Sequence, residues 1–293
     1  MDRLLDIKRR FPVSLDLGAG ACHVAKELYR TRLDDISAEI DGSVDRVGTV
    51  QRLADKIDTL VAGESCETLL RRDEGEVWEI DGVRDTTMKL DRRVLPLEEL
   101  LPFEANTFDA VLSAGSMHWI NDLPSILAQI NHVLKPDSPF LATMIGGDSL
   151  FELRTSLQLA DMERRGGVAP HVSPFADVKD VGGLLQKAGF KMLTVDVEDL
   201  VVEYPAMMNL MIDLQAMGEG NAIMEREAGP LRRDILLAAE AIYRELHGNE
   251  DGSVPATFRI IHMIAWKEGE GQAKPLPRGS ADISMKDVLE RKK

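Results

Sequence analysis

Cysteine is scarce: the 293 residues hold two, Cys22 and Cys66, far apart and in no C-x-x-C pair. That excludes a disulfide framework and a cysteine zinc centre, and it suits a reducing, intracellular compartment. Positive charge is in deficit too. Lys and Arg number 35 against 50 Asp and Glu, a formal charge of −15. Binding to nucleic acid or anionic lipid through a general basic surface is therefore excluded. No apolar run approaches the roughly 18 residues that a membrane span requires. No G-K-S or G-K-T sequence occurs, which excludes a P-loop. None of the six histidines is followed two residues later by Asp or Glu. The H-x-D/E part of an iron facial triad is missing, and no metal site is expected. The first eleven residues, Met1 to Phe11, lack the apolar core of a secretory signal. Their arginines would suit a mitochondrial presequence, but Asp2 and Asp6 would not.

What is present is a chain 44% hydrophobic, ordinary for a globular protein. Val13 to Leu17 reads as a short apolar strand running into Gly18-Ala19-Gly20, with Val24, Ala25 and Leu28 at helical spacing behind it. Arg30 to Lys56 reads as an extended polar connection. Strand character returns at Ile57 to Ala62, a short helix follows at Glu64 to Arg72, and a third strand is expected within Asp73 to Arg93. Phe108 to Ser113 reads as a buried strand. Leu123, Ile126, Leu127, Ile130, Val133 and Leu134 mark an amphipathic helix, capped by Asn121 or Asp122 and ended by Pro136. Phe140 to Ile145 is the next strand. Strands alternating with helices call for an α/β fold with a mostly parallel sheet.

The second half differs. Ser149-Leu150-Phe151-Glu152 has the form of a capping box opening a helix to about Arg165. A helix from Val178 to Ala188 stops at Gly189, and Phe190 to Val197 reads as a strand. Ala206 to Met217 reads as a methionine-rich helix whose stripe is expected in the core. Pro230 opens a helix through Leu246 with Gly248 at C′, and Thr257 to Trp266 is the final strand. Residues 1–266 are expected to form one domain, with a cofactor half over 13–145, a substrate or partner half with helical insertions over 146–266, and a flexible tail over 267–293.

The junction Asp16-Leu17-Gly18-Ala19-Gly20 is the first candidate for chemistry, because glycines at the carboxyl edge of a parallel sheet let a ligand approach backbone. A nicotinamide cofactor is disfavoured, since His23 stands at the third glycine position of the dinucleotide fingerprint. His118-Trp119 could place a proton carrier and an apolar wall at the end of the fourth strand. His171, between Pro170 and Pro174, reads as a loop residue. Arg154, Gln158 and Asp161 share one helix face, solvated by default. Gly147-Asp148-Ser149-Leu150 spells a hydrolase motif but lacks the D-x-x-H partner of its serine, and that reading is set aside.

Three segments, Leu15-Asp16-Leu17-Gly18-Ala19-Gly20, Leu101-Pro102-Phe103 and Asn106 to Ser113, resemble the class I S-adenosylmethionine methyltransferases. Met117 to Pro124 is similar to the malonyl-carrier-protein O-methyltransferase branch of biotin synthesis. Gly146 to Arg154, Pro170 to Phe175, Leu214 to Glu219 and Gly248 to Thr257 resemble one family, the mitochondrial complex I assembly factor five proteins, from Leu4 to Trp266. That resemblance implies a class I methyltransferase, Rossmann-like fold with helices on both faces of the sheet and helical insertions in the carboxyl-terminal half. It implies S-adenosyl-L-methionine as cofactor, with Asp16, Gly18, Ala19, Gly20, Glu64, Glu98 and Leu101 as binding residues. Glu64 matches the acid that holds the ribose hydroxyls. Leu97 falls where an acid is usual, and Cys22 replaces a usual glycine, so its side chain is expected to point toward the methionine moiety. His118, Asp148 and Arg154 are the catalytic candidates.

The same resemblance implies a place on the matrix side of the mitochondrial inner membrane, peripheral at most. The implied partner is the iron–sulfur subunit of complex I or an early assembly intermediate, and the implied reaction is hydroxylation, or methylation, of an arginine near the quinone site. An Arg-rich, acid-poor segment encoded in frame upstream of Met1 is expected to accompany that address. The alternatives are an O-methyltransferase acting on a small molecule or carrier protein, and a non-catalytic assembly chaperone. The acidic surface suits a basic target, and Glu98, Asp148 and Asp161 are the candidate steering acids.

Overall fold

The computed structural model describes residues 2–30, 53–76, 88–96, 100–224 and 229–272. The connection expected at Arg30 to Lys56, most of the tail, and the Leu97 and Glu98 positions fall mainly or wholly outside them. Within the described residues, α1 (Asp2–Asp6), β1 (Val13–Leu17), α2 (His23–Arg30), β2 (Thr59–Glu64), α3 (Glu67–Leu70) and β3 (Lys89–Val94) form the first part of the chain. Next come β4 (Ala110–Ala114), α4 (Leu123–Val133), β5 (Pro139–Ile145), α5 (Phe151–Arg165), α6 (Val178–Lys187), β6 (Phe190–Tyr204), α7 (Met207–Met217), α8 (Arg233–His247) and β7 (Val254–Lys267). Seven strands make one sheet in the order β3-β2-β1-β4-β5-β7-β6. β1 to β5 pair in parallel, and β7 runs antiparallel between β5 and β6.

The parallel strands are continuous apolar runs because both faces are covered. On one face α4 buries Ile126, Leu127, Ile130 and Val133 with Leu15, Leu17, Val111 and Phe140, and α6 adds Val181 and Leu185. Asp122 caps α4 by accepting the Ser125 N–H at 3.0 Å, as its sequence signals. On the other face α2 and Leu53, Ile57 and Leu70 close over Leu60, Ala62 and Leu112. A third cluster lies where α5, α7 and α8 gather around Tyr204, Val254 and Ala256 at one end of the β6–β7 pair. The helices-on-both-faces expectation and the insertions of the second half are thereby met.

Four local expectations need correction. Ser149 and Glu152 form no capping box: Leu150 precedes α5 in the left-handed region (φ 55°), with no side-chain cap. Strand β7 offers these groups better partners. Ser149 Oγ accepts the Arg259 N–H at 2.8 Å, and Glu152 accepts from the Thr257 N–H at 3.2 Å and from its hydroxyl. Gly248 ends α8 at φ −62°, not left-handed; a Cβ there would lie 2.4 Å from the Arg244 carbonyl, so close approach is what requires glycine. β6 continues to Tyr204, past Val197, because it pairs with β7 as far as Val254. The methionine helix α7 is only partly core: Met207 is buried, whereas Met208 and Met217 are exposed.

Candidate functional site

The turn after β1 is bound to β2 by backbone. Gly18 and Ala19 both donate their N–H to the Gly63 carbonyl, at 2.9 and 3.0 Å. Gly18 has φ +73°, and a Cβ on it would sit 2.1 Å from Ser116 Oγ, so conformation and space both demand glycine. Ser113 and Ser116 hydroxyls donate to the Leu17 carbonyl, at 2.8 and 3.1 Å, and tie this turn to the end of β4. Gly20, at φ +54°, faces open space apart from His23. Its N–H donates to Glu64 Oε2 at 2.9 Å. Glu64 Oε1 accepts from the Ser65 N–H (2.8 Å), the Ser65 hydroxyl (3.0 Å) and the Cys66 N–H (3.2 Å). Glycine turn and carboxylate therefore meet at neighbouring strand ends, the expected pairing.

Asp16 lies beneath them, wholly buried, and neither carboxyl oxygen has a hydrogen-bond partner among the described residues. Burial, and then the negative charge of Glu64, push its pKa up to about 7. A buried polar group without a partner is uncommon in a folded chain and is a mark of a binding site. Leu101 is buried in the α4 cluster and gives its N–H to Gln129 at 2.7 Å. Cys22 does not point into the turn: its φ of +60° turns the thiol inward among the α2 residues, 3.9 Å from the Leu70 carbonyl.

The structure does not bring the three catalytic candidates together. Asp148 is exposed and ion-paired with Arg259, which also pairs with Asp199. Arg154 donates to the Ser149 and Ser173 carbonyls at 3.5 and 3.4 Å, holding α5 to the loop beside it. His118 is different. Its side chain is 2% exposed, with Nε2 3.0 Å from Glu219 Oε1. The Ile145 N–H points at Nδ1 from 3.5 Å, which places the ring proton on Nε2 and makes the imidazole a donor to Glu219. The Trp119 indole N–H reaches the same oxygen at 3.4 Å. Glu219 ends a segment singled out in the sequence, but neither spacing nor composition marks it as a site residue.

Glu219 lines a cavity of about 540 Å³ among α5, α7, α8 and the 169–175 loop, with Leu153, Met211, Leu214 and Ile235 in its walls. Asp161, expected on a solvated face, stands fully buried behind this cavity and is unavailable for steering a partner. Burial pushes its pKa up, but the Ala169 N–H (3.0 Å), His171 (2.7 Å) and Arg165 (2.9 Å) together hold it below the usual carboxylate value. His171 is thus the anchor of its loop. Among the described residues no three His, Cys, Asp or Glu side chains gather as a metal ion would require, and no helix is long and apolar enough to cross a membrane.

Comparison with known proteins follows the same division. A methyltransferase-domain family model matches residues 15–142, which contain the glycine turn, Glu64 and β4. The mitochondrial arginine-hydroxylase NDUFAF5 of Danio rerio is 47% identical over 287 residues, covering 98% of this chain and 78% of that protein. A malonyl-[acyl-carrier protein] O-methyltransferase of Methylovorus sp. (strain MP688) is 35% identical over 188 residues, covering 64% of this chain and 60% of that one. In fold, the chain is similar to a crystal structure from Bacillus halodurans C-125 classed by inference as a methyltransferase. The TM-score is 0.53 at 14% identity, with 92% of this chain and 98% of that chain covered.

Proposed function

The chain belongs to the family of the mitochondrial arginine-hydroxylases named NDUFAF5, and on that premise we propose that it is an assembly factor of respiratory complex I that modifies an arginine of the iron–sulfur subunit near the quinone site. The observation that carries this reading is the reach of the likeness. It covers 98% of the chain with the arginine-hydroxylase but 64% with the O-methyltransferase, and the longer span takes in nearly all of the half that builds the Glu219 cavity. The proposed work lies on the matrix side of the inner membrane, a reading that the relatives' mitochondrial names support.

The residues at the β1 and β2 ends fit S-adenosylmethionine. Asp16, buried without a partner, suits the ammonium of the methionine moiety, which would satisfy it and favour its charged form. Glu64 can accept two ribose hydroxyls in place of the neutral donors it now holds. Gly18 and Gly20 keep side chains out of the way. When bound, the cofactor supplies a sulfonium-activated methyl group. The chain's own part is to orient it, with Glu64 and Asp16 as acceptors, and to hold the target beside the 116–119 segment that links the glycine turn to His118.

The test is co-expression with the iron–sulfur subunit followed by mass spectrometry of its arginine peptides. Gain of one oxygen supports hydroxylation and gain of one methylene supports methylation. No mass change with assembly intact would favour the chaperone reading and overturn the enzymatic one. Transfer of a methyl group to a malonyl thioester would favour the O-methyltransferase, a reading supported by the 35% likeness. For the cofactor, Glu64→Ala should weaken S-adenosylmethionine binding about 10- to 150-fold by calorimetry, the cost of losing a charged hydrogen bond. An unchanged affinity would remove Glu64 from the site.

A further inference from the structure

The 540 Å³ cavity is lined by one carboxylate that pairs with no Lys or Arg among the described residues. Among the described residues, four ionisable side chains line it: Arg165, His171, Glu219 and Arg232. Arg165 and His171 both rest on Asp161, and Arg232 pairs with Asp234 at 3.1 Å. Glu219 is the exception. Its partners are the His118 Nε2–H and the Trp119 indole N–H, and both go to Oε1. Oε2 takes no hydrogen bond from a described residue. The carboxylate is 15% exposed, so it is largely desolvated while still reachable from the cavity. A carboxylate in that setting attracts a cation more strongly than one in water does, because the low surrounding dielectric weakens screening.

The walls select the kind of cation. Aliphatic side chains from α5, α7 and α8 suit an apolar stem, and long cationic side chains bury their stems while the head finds a polar partner. Phe175 supplies an aromatic face to the lining, and behind Glu219 the His118 ring lies 5.9 Å from it, centroid to centroid. A planar guanidinium stacks on an aromatic surface while donating to a single carboxylate oxygen, and a compact ammonium stacks less well. Gln215 adds an amide to the cavity lining.

We infer that Glu219 is the specificity-determining carboxylate for a guanidinium-bearing side chain entering this cavity, with His118 as its positioning residue and Phe175 as the aromatic wall. The assignment rests on the arginine-modifying reading above and deepens it, by naming where the target side chain is held. His118 fixes Glu219 through a donated proton, leaving Oε2 for the substrate. The 116–119 segment gives the site its address: Ser116 packs on Gly18 and His118 reaches Glu219, so the guanidinium pocket and the glycine turn are joined by one short stretch of chain.

The test uses N-acetyl-arginine-methylamide and its neutral isostere, the capped citrulline, titrated into the full chain while the Trp119 indole N–H is followed by NMR, with Trp119→Phe to assign the signal. Capped arginine should shift that signal saturably, and capped citrulline should bind at least tenfold more weakly. Glu219→Gln, which keeps an oxygen for His118 and Trp119, should weaken arginine about 10- to 150-fold and erase the preference over citrulline. Glu219→Asp, which keeps the charge, should retain a preference. Equal binding of both compounds to the wild type, or an arginine preference that survives Glu219→Gln, would overturn the assignment. S-adenosylmethionine affinity measured on the same samples separates the two readings. Intact cofactor binding without a Trp119 shift sinks the Glu219 site alone, whereas an unmodified target subunit sinks the enzymatic reading even if the pocket discriminates.

Discussion

Asp16 and Asp161 are both sealed from water, one at the end of β1 and the other within α5, and their environments push them in opposite directions. Asp161 has three donors on it, from Arg165, Ala169 and His171, and sits below the usual carboxylate value. Asp16 has none among the described residues and holds its proton to about pH 7. Desolvation is common to the two; what differs is whether the fold supplies partners. A satisfied buried acid is a structural clamp. An unsatisfied one can accept a donor that the fold does not supply, which is why Asp16 is proposed for the cofactor while Asp161 anchors a loop.

The contrast breaks most readily through pH. The Asp16 pKa is raised on folding, from 3.8 to about 7, so between those values the folded state binds more protons than the unfolded one. Stability should therefore fall as pH rises through that window, by up to about 4 kcal/mol for a shift of this size. Denaturant melts of wild type and Asp16→Asn across pH 4–8 would check it. The variant should lose this slope and, having no charge to bury, should gain stability relative to wild type above pH 7. A parallel pair of curves would contradict the orphaned-acid reading. Cofactor should restore the wild type most at pH 8, where Asp16 gains most from an ammonium partner.

A smaller effect tests the glycine turn above Asp16. Gly18→Ala adds backbone strain at φ +73° and a collision with Ser116, together about 3 kcal/mol. Gly20→Ala meets nothing closer than 3.7 Å and should cost about 1 kcal/mol, from its left-handed conformation alone. Equal losses in thermal or chemical unfolding would show that Ser116 moves aside.

A third effect, smaller than that of Gly18→Ala, sharpens the other side. Asp161→Asn removes charge but not volume, and should cost about 2 kcal/mol at neutral pH through weaker hydrogen bonds to Arg165, Ala169 and His171. Because the Asp161 pKa is lowered on folding, its contribution is present above pH 4 and is lost as pH falls below that. The sign is opposite to that of Asp16, and hydrogen exchange of the Ala169 amide reports it locally. Unchanged protection in the variant would mean that the 169–175 loop has another anchor.

Sequence reading reached the parts of this protein that backbone builds. The alternation of apolar strands and amphipathic helices marked β1, β4, α4 and β5, since burial on two faces imposes that pattern on neighbouring residues. The glycine turn was legible because a tight left-handed turn after a strand admits few residues; Glu64, read as opening a helix, was singled out by the family resemblance. Side-chain constellations were legible only in part. Ser149 and Glu152 look like a helix cap in isolation, yet β7, more than a hundred residues on, offers them backbone and hydroxyl partners. Asp161 looks like a solvated acid until the 169–171 segment folds over it. His118 meets Glu219 across 101 positions of chain, a distance over which no local pattern is enforced. Propensity and burial acting between near neighbours fix the sheet core and the turn at its edge. The tertiary structure decided which acids are satisfied, which is left alone, and where a cation can be held, because those depend on desolvation and on partners that only the closed fold brings within reach.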